Sequence, residues 1–232
     1  DLPGEAPGIV PSSEWKLRRF HEKWYPGETI SASIGQSYNL YTPLQLAVSY
    51  AAIANGGRVM KPRIALRLED RNGATLEEFA PELRQTSTVP DELLAIVREG
   101  LTAVVEVPGG TGMRAKVPGV RVAGKTGTVQ VVGLDKLRGL KELQVPVRFR
   151  DHAWFVAFAP AEAPEIAVAV FVEHGLHGSS AAAPIAQRIL AKYFQKRGLS
   201  PLPEAKPSAE PPRVQPAPAL PSAPAPVLAG AL

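Results

Sequence analysis

The sequence predicts an α+β fold in which an antiparallel sheet packs with helices. Two observations carry that expectation. Before residue 118 the apolar residues recur mainly at helical spacing, in two stretches that open with strong helix-start signals, Thr42-Pro43 and Pro90-Asp91. After it the period becomes strand-like in "VRVAGKTGTVQVV", "HAWFVAFAP" and "EIAVAVFVEHG", the last two joined by only "AEAPE", a link short enough for a hairpin.

Taken in order, residues 1 to 41 are rich in Pro, Gly, Trp and Tyr and read as an ordered, winding region with one short helical candidate from Ser12 to Trp24. "TPLQLAVSYAAIANGG" follows as a helix, with Thr42 as N-cap, Pro43 at the first helical position and Asn55-Gly56-Gly57 as the stop. It is apolar nearly all round, so it is expected to be buried. "RIALRLEDRNGATLEEF" reads as a hairpin about Asn72-Gly73, because Asn-Gly tolerates the positive φ of a tight turn. In the next helix Leu94, Val97, Leu101 and Val104 are the expected buried face, and "VPGGTGMRAKVPG" breaks it. "SSAAAPIAQRILAKYFQKRG" closes the fold as a helix. Residues 198–232 are dominated by Pro and Ala and are expected to form a disordered or polyproline-like tail, too poor in large apolar side chains to offset the entropy of ordering.

Composition bounds the chemistry. The 232 residues, 45% of them hydrophobic, suit a packed core. Cysteine is absent, which excludes disulfides, thiolate metal sites and a Cys nucleophile. The net charge of +4 is spread over the chain apart from "KLRGLKELQVPVRFRD", a pattern of a solvated surface rather than of a nucleic-acid groove. No apolar run reaches the roughly 18 residues that cross a bilayer. The chain opens on Asp1 without an initiator Met and reads as a piece of something longer.

"GVRVAGKTGTVQVV" fits two chemistries. From Gly119 to Thr126 it is G-x-x-x-x-G-K-T, the pattern of a phosphate-cradling P-loop. From Lys125 to Thr128 it is K-T-G-T, a motif of penicillin-binding proteins and serine β-lactamases. A P-loop needs a compact turn before its Lys and a helix after it. Here Val120, Arg121, Val122 and Ala123 prefer extended backbone, and Gly-Thr-Val-Gln-Val-Val continues as a strand. On such a strand Thr126 and Thr128 project to one side and Lys125 to the other. Two hydroxyls two residues apart can hold one carboxylate, Gly127 lets a ligand lie against the backbone, and the Thr128 N–H is free to meet an oxyanion.

Two further short patterns complete the set only on paper. Ser13-Glu14-Trp15-Lys16 matches S-x-x-K and Ser37-Tyr38-Asn39 matches S-x-N. The first sits in a stretch carrying Lys16, Arg18, Arg19, His21, Glu22 and Lys23, which reads as a solvated helix with Ser13 in its N-cap. The second lies in the loop leading into the Thr42 helix. Both are read as chance matches. His174 and His177 have the spacing of a metal pair but no evident third ligand, and the pairs Glu77-Glu78 and Glu69-Asp70 read as solvated.

Together with that motif, "SIGQSYNLYTPLQLAVSYAAIANGG", "VAGKTGTVQVV", "HAWFVAFAP" and "IAVAVFVEHG", in this order and spacing, resemble the C-terminal part of the transpeptidase domain of class B penicillin-binding proteins. The opening "DLPGEAPGIVPSSEWKLRRFHEKWYPGETI" is most similar to the elongation-type members, penicillin-binding protein 2. The resemblance covers residues 1 to about 197. It implies a penicillin-binding-protein/serine β-lactamase-like fold, incomplete here, with three of its sheet strands in this chain. It implies D,D-transpeptidase chemistry on peptidoglycan stem peptides, capture of β-lactams, no metal or organic cofactor, and a membrane glycan polymerase as partner. Lys125 and Thr128 would be the catalytic residues of this segment, and Lys125, Thr126, Gly127 and Thr128 its substrate-binding wall. The nucleophilic Ser, the S-x-N motif, the first strands and a membrane anchor would precede Asp1, which places the parent at the outer, periplasmic face of the cytoplasmic membrane. The chain by itself would be inactive.

Overall fold

The computed structural model describes residues 2–133 and 138–198. The Pro/Ala-rich stretch therefore lies, from residue 199 on, outside the described residues. The N-terminal region holds two short helices where one was expected, α1 (Ser13–Phe20) and α2 (Pro26–Ser33). Ser12 caps α1, its Oγ accepting from Trp15 N–H at 3.1 Å, and His21 ends the helix in a left-handed conformation (φ 59°), before α2 begins at Pro26. The single helix expected as far as Trp24 is thus cut at His21, and Pro26 restarts it.

The solvated character expected of α1 is wrong at one residue. Lys16 is 1% exposed. Its Nζ donates to Glu28 Oε1 at 2.6 Å and lies 4.6 Å from the centre of the Tyr25 ring, so a charged side chain turns inward because α2 brings it a carboxylate. Burial pulls the Lys16 pKa down, but the hydrogen bond and charge of Glu28 outweigh it and hold the ammonium above its ordinary value of 10.5. Glu28 is held below 4.5 by the Lys16 hydrogen bond first and the Tyr25 N–H second. A carboxyl with a depressed native pKa stabilises the fold fully above its unfolded value and loses that contribution as pH falls through the native one. The stability difference between the parent and Glu28→Gln is therefore expected to be largest at neutral pH and to shrink as pH falls below 4.5. Urea midpoints measured across that range check this, and a difference independent of pH would contradict it.

α3 (Pro43–Ala54) begins in a capping box: Thr42 Oγ1 accepts from Gln45 N–H at 3.1 Å and Gln45 Oε1 accepts from Thr42 N–H at 3.0 Å. It is half-buried rather than buried, with Ala52 its one fully enclosed residue. Pro43 and Ser49 are its exposed residues, and the others apart from Ala52 are partly covered.

β1 (Arg58–Met60) pairs antiparallel with β4 (Leu83–Thr86), a pairing without a local sequence signal, and encloses the expected hairpin of β2 (Arg67–Glu69) and β3 (Thr75–Glu78). At its turn Asp70 Oδ1 accepts from the N–H of Asn72 and of Ala74, and Gly73 has φ 83°. Glu77 and Glu78 are exposed, and Glu69 is exposed and paired with Arg67.

α4 (Asp91–Glu106) buries Leu94 and Leu101 as expected, but Val97 is 43% exposed and Val105 fully enclosed. The buried stripe drifts to Thr102 and Val105, while the Arg98 guanidinium donates to Ile53 O at 3.1 Å.

The three expected strands form one antiparallel sheet in the order β5 (Ala123–Val129), β6 (His152–Ala159), β7 (Ile166–Val172). Opposite residues share a face. Lys125, Gly127 and Val129 stand with Val156, Trp154 and His152 on the face covered by α3. Thr126 and Thr128 stand with Phe155 and Ala153 on the other. There Phe155, Ala157 and Val170 join Ala186, Leu190 and Phe194 of α5 (Ala183–Lys196) in the main core. A π-helical turn, Gly178–Ala182, leads into α5.

Candidate active site

The K-T-G-T segment lies in the middle of β5, at the edge of the sheet, where β6 is its one strand partner among the described residues. Its orientation follows from two carbonyls. Thr126 O accepts from Lys125 Nζ at 2.8 Å and Thr128 O accepts from Gln36 Nε2 at 2.8 Å, both donors lying off the β6 ladder. In an antiparallel strand the N–H and C=O of a residue point to the same side, and alternate residues point alike. The main-chain groups of Thr126 and Thr128 therefore face away from β6, and the Thr128 N–H is presented at the open edge.

The three glycines here answer to contacts. A Cβ at Gly124 would lie 2.8 Å from the Phe155 ring and 2.9 Å from Val156 O, so this glycine serves the strand pairing. That removes the P-loop alternative over Gly119 to Thr126: its second glycine and its Lys-Thr are in β5, with no helix after them. At Gly127 a Cβ would lie 3.1 Å from that of Trp154, so room for the tryptophan is one reason for glycine at a position where the motif suggests ligand access. A Cβ at Gly178 would meet Trp154 O at 2.2 Å and Gly127 O at 2.6 Å; the π-helical turn thus lies directly on the β5–β6 seam.

Beside Lys125 a groove of about 420 Å³ opens between the α3 side of the sheet and the segment joining α2 to α3. Trp154, Phe171, His152 and Val156 line it from the sheet, Leu46 and Tyr50 from α3, and Lys125 to Thr128 form its rim. Burial holds the Tyr50 phenol above its ordinary pKa of 10.0, so it stays protonated at neutral pH. An apolar trough bordered by an ammonium and an outward N–H, beside a strand edge that carries two threonines, can hold an extended, carboxylate-bearing chain with an anionic oxygen at that edge.

The model of the family described as penicillin binding protein transpeptidase domain matches residues 1–191. The chain belongs to that family. The peptidoglycan D,D-transpeptidase MrdA of Acinetobacter baumannii is 41% identical over 182 residues, which is 78% of this chain and 27% of that protein. MrdA of Salmonella typhimurium is 33% identical over 89% of this chain and 33% of its own length. Among solved structures, penicillin-binding protein 2 of Pseudomonas aeruginosa in complex with WCK 5153 superposes with a TM-score of 0.65 at 35% identity, covering 86% of this chain and 41% of that one. The complex of penicillin-binding protein 2 with MreC from Helicobacter pylori gives 0.65 at 29% identity, over 85% of this chain and 32% of that one. The transpeptidase fold and the elongation-type likeness expected from the sequence are thereby shown. The chain spans about a quarter to a third of the length of these curated relatives.

Within this transpeptidase segment the predicted rim residues Lys125, Thr126, Gly127 and Thr128 come together, and Asn39 of the S-x-N match lines the same groove, whereas Lys16, His174 and His177 are not among its lining residues. Lys16 is committed to Glu28. Asn39 Nδ2 donates to Ala32 O and Gln36 O, at 3.1 and 2.7 Å, in a loop. His174 and His177 are engaged separately, His174 Nδ1 with Arg150 O at 3.0 Å and His177 Nε2 with Glu142 Oε1 at 2.6 Å. Two residues at the rim had no sequence signal of their own. Thr111, from the loop that breaks α4, places its Oγ1 2.9 Å from Thr126 Oγ1, and Gln36 reaches Thr128 across 92 positions.

Proposed function

We propose that this chain supplies the K-T-G-T wall of a serine D,D-transpeptidase that cross-links peptidoglycan. The observation that carries the reading is the outward edge of β5, with the Thr128 N–H beside Lys125 and the groove. A Ser of the same protein, outside residues 1–232, attacks the penultimate D-alanyl carbonyl of a stem peptide. Charge moves onto the carbonyl oxygen, which the Thr128 N–H stabilises as half of an oxyanion hole. The peptide C–N bond breaks, D-alanine leaves with the proton, and an amine of a second stem peptide then displaces the Ser from the acyl-enzyme. Lys125 adds positive charge and orients proton transfer near the S-x-N hydroxyl, while the Thr126 and Thr128 hydroxyls bind the terminal carboxylate. No metal or organic cofactor has a part in this scheme.

β-Lactams fit the same geometry as mimics of D-alanyl-D-alanine. In the relatives, a ceftriaxone acyl-enzyme is formed by penicillin-binding protein A of Mycobacterium tuberculosis, which superposes on this chain with a TM-score of 0.57 at 33% identity. The proposal extends to a membrane anchor, a place at the periplasmic face of the cytoplasmic membrane and a membrane glycan polymerase as partner. It assigns residues 1–197 to the C-terminal portion of the transpeptidase domain and 198–232 to a Pro/Ala-rich tail.

Mapping the acylated serine in the full-length protein after exposure to penicillin tests the reading. The modified peptide is expected outside this chain. Acylation of Ser13 or Ser37 would overturn the division of labour proposed here, and absence of any acyl-serine would overturn the activity.

A further inference from the structure

We propose that Gln36 is a positioning residue for the oxyanion-binding edge of β5, held in place by the two short motifs that only resemble catalytic ones. The inference rests on the function proposed above. Gln36 Nε2 donates to Thr128 O at 2.8 Å, and that carbonyl and the Thr128 N–H flank the same Cα on the same side of the strand. Restraining the carbonyl restrains the backbone torsions that aim the N–H. At an edge no neighbouring strand does so.

A donor can fix a strand only if it is itself fixed, and Gln36 is held at both main-chain groups. Its N–H donates to Ser31 O at 3.0 Å, and its carbonyl accepts from Asn39 Nδ2 at 2.7 Å. Gly35 and Ser37 on either side take positive φ, 79° and 65°, which turns the Gln36 side chain out of α2 toward β5. Tyr41 Oη donates to Asn39 Oδ1 at 2.6 Å, orienting the amide that braces the turn. Tyr38 packs back on α1, its ring 5.2 Å from that of Trp15 and 5.4 Å from that of Phe20. The Lys16–Glu28 pair locks α1 to α2 behind them. Ser13 to Lys16 and Ser37 to Asn39 thus form a platform whose product is one amide aimed at Thr128.

The test is stopped-flow acylation of the full-length protein by a fluorescent penicillin, resolving the dissociation constant of the non-covalent complex from the acylation rate constant. In Gln36→Leu the rate constant is expected to fall about 10- to 100-fold, as for a catalytic group displaced by a fraction of an ångström, with the dissociation constant within about threefold of the parent. Gln36→Glu supplies a readout that a merely structural role would not move. Ionised, its carboxylate cannot donate to Thr128 O and acylation is slow. Protonated, near pH 4 to 5, its hydroxyl can donate, so the ratio of variant to parent rate is expected to rise as pH falls through about that range. A parental rate constant in Gln36→Leu, or a ratio for Gln36→Glu that stays flat with pH, overturns the inference. Lys125→Ala separates this from the underlying function: undiminished acylation in that variant overturns the function itself, whereas lost acylation in Lys125→Ala beside parental rates in the Gln36 variants overturns only the role of Gln36.

Discussion

Lys125→Ala in the full-length protein is expected to lose labelling by a fluorescent penicillin by about 100-fold or more, at a thermal midpoint indistinguishable from that of the parent. The two halves of this result come from one geometry. Lys125 is exposed at an edge, and its ammonium makes its described hydrogen bond to the carbonyl of the next residue, a contact of little weight for folding. Surface substitutions of this kind change stability by about 0.5 kcal/mol or less. The same residue lines the rim of the groove, next to the strand edge whose Thr128 N–H is proposed to meet the developing oxyanion. Removing one preorganised electrostatic group from such a site costs about 10²- to 10³-fold in rate. Labelling at the parental rate would show that this strand is not the wall of the reacting centre.

Gly178→Ala is expected to damage stability and labelling together. The added methyl would lie 2.2 Å from Trp154 O, 2.6 Å from Gly127 O and 3.0 Å from Gly127 N, all of them main-chain atoms that cannot rotate away. Gly178 is not among the glycines with positive φ, so alanine would suffer no torsional penalty and the whole effect is steric. Forcing a methyl into a closed contact costs about 1–3 kcal/mol. Relief requires the π-helical turn to lift or β5 to shift at Gly127, the residue between the two outward-facing threonines. Denaturant unfolding of the variant should show the lost stability, and penicillin labelling should fall beyond what the unfolded fraction explains. Parental values for both would mean that the turn does not rest on the seam as described.

Much of this was legible in the sequence, for physical reasons that differ by element. The Thr42-Pro43 helix start, the Asn72-Gly73 turn and the change to strand period before Lys125 are local signals, encoded within a few residues of where they act. The pairing of β1 with β4 is encoded nowhere locally, since it depends on how the enclosed hairpin folds back. Lys16 was misjudged because its neighbours are charged and exposed, while its partner Glu28 comes from another helix twelve residues on. Gly124 and Gly127 suggested phosphate or ligand access, whereas Phe155 and Trp154 across the ladder need the space. Thr111 and Gln36 were invisible for the same reason: each acts on β5 from a distant segment. The rim could be read as a motif; its supports are products of tertiary packing.

The hydrogen bond from Gln36 to Thr128 also has a kinetic consequence. It joins residues 92 positions apart, so the chain between them must find its place before the contact can reward the closure of so long a loop. Sheet pairing β5–β6–β7 and the α1–α2 clamp involve much shorter separations and can assemble first. The site rim is then among the last features to appear on folding and among the first to open in the native state. Native-state amide exchange would register this as weaker protection at Thr128 than at Phe155 in the middle of the sheet.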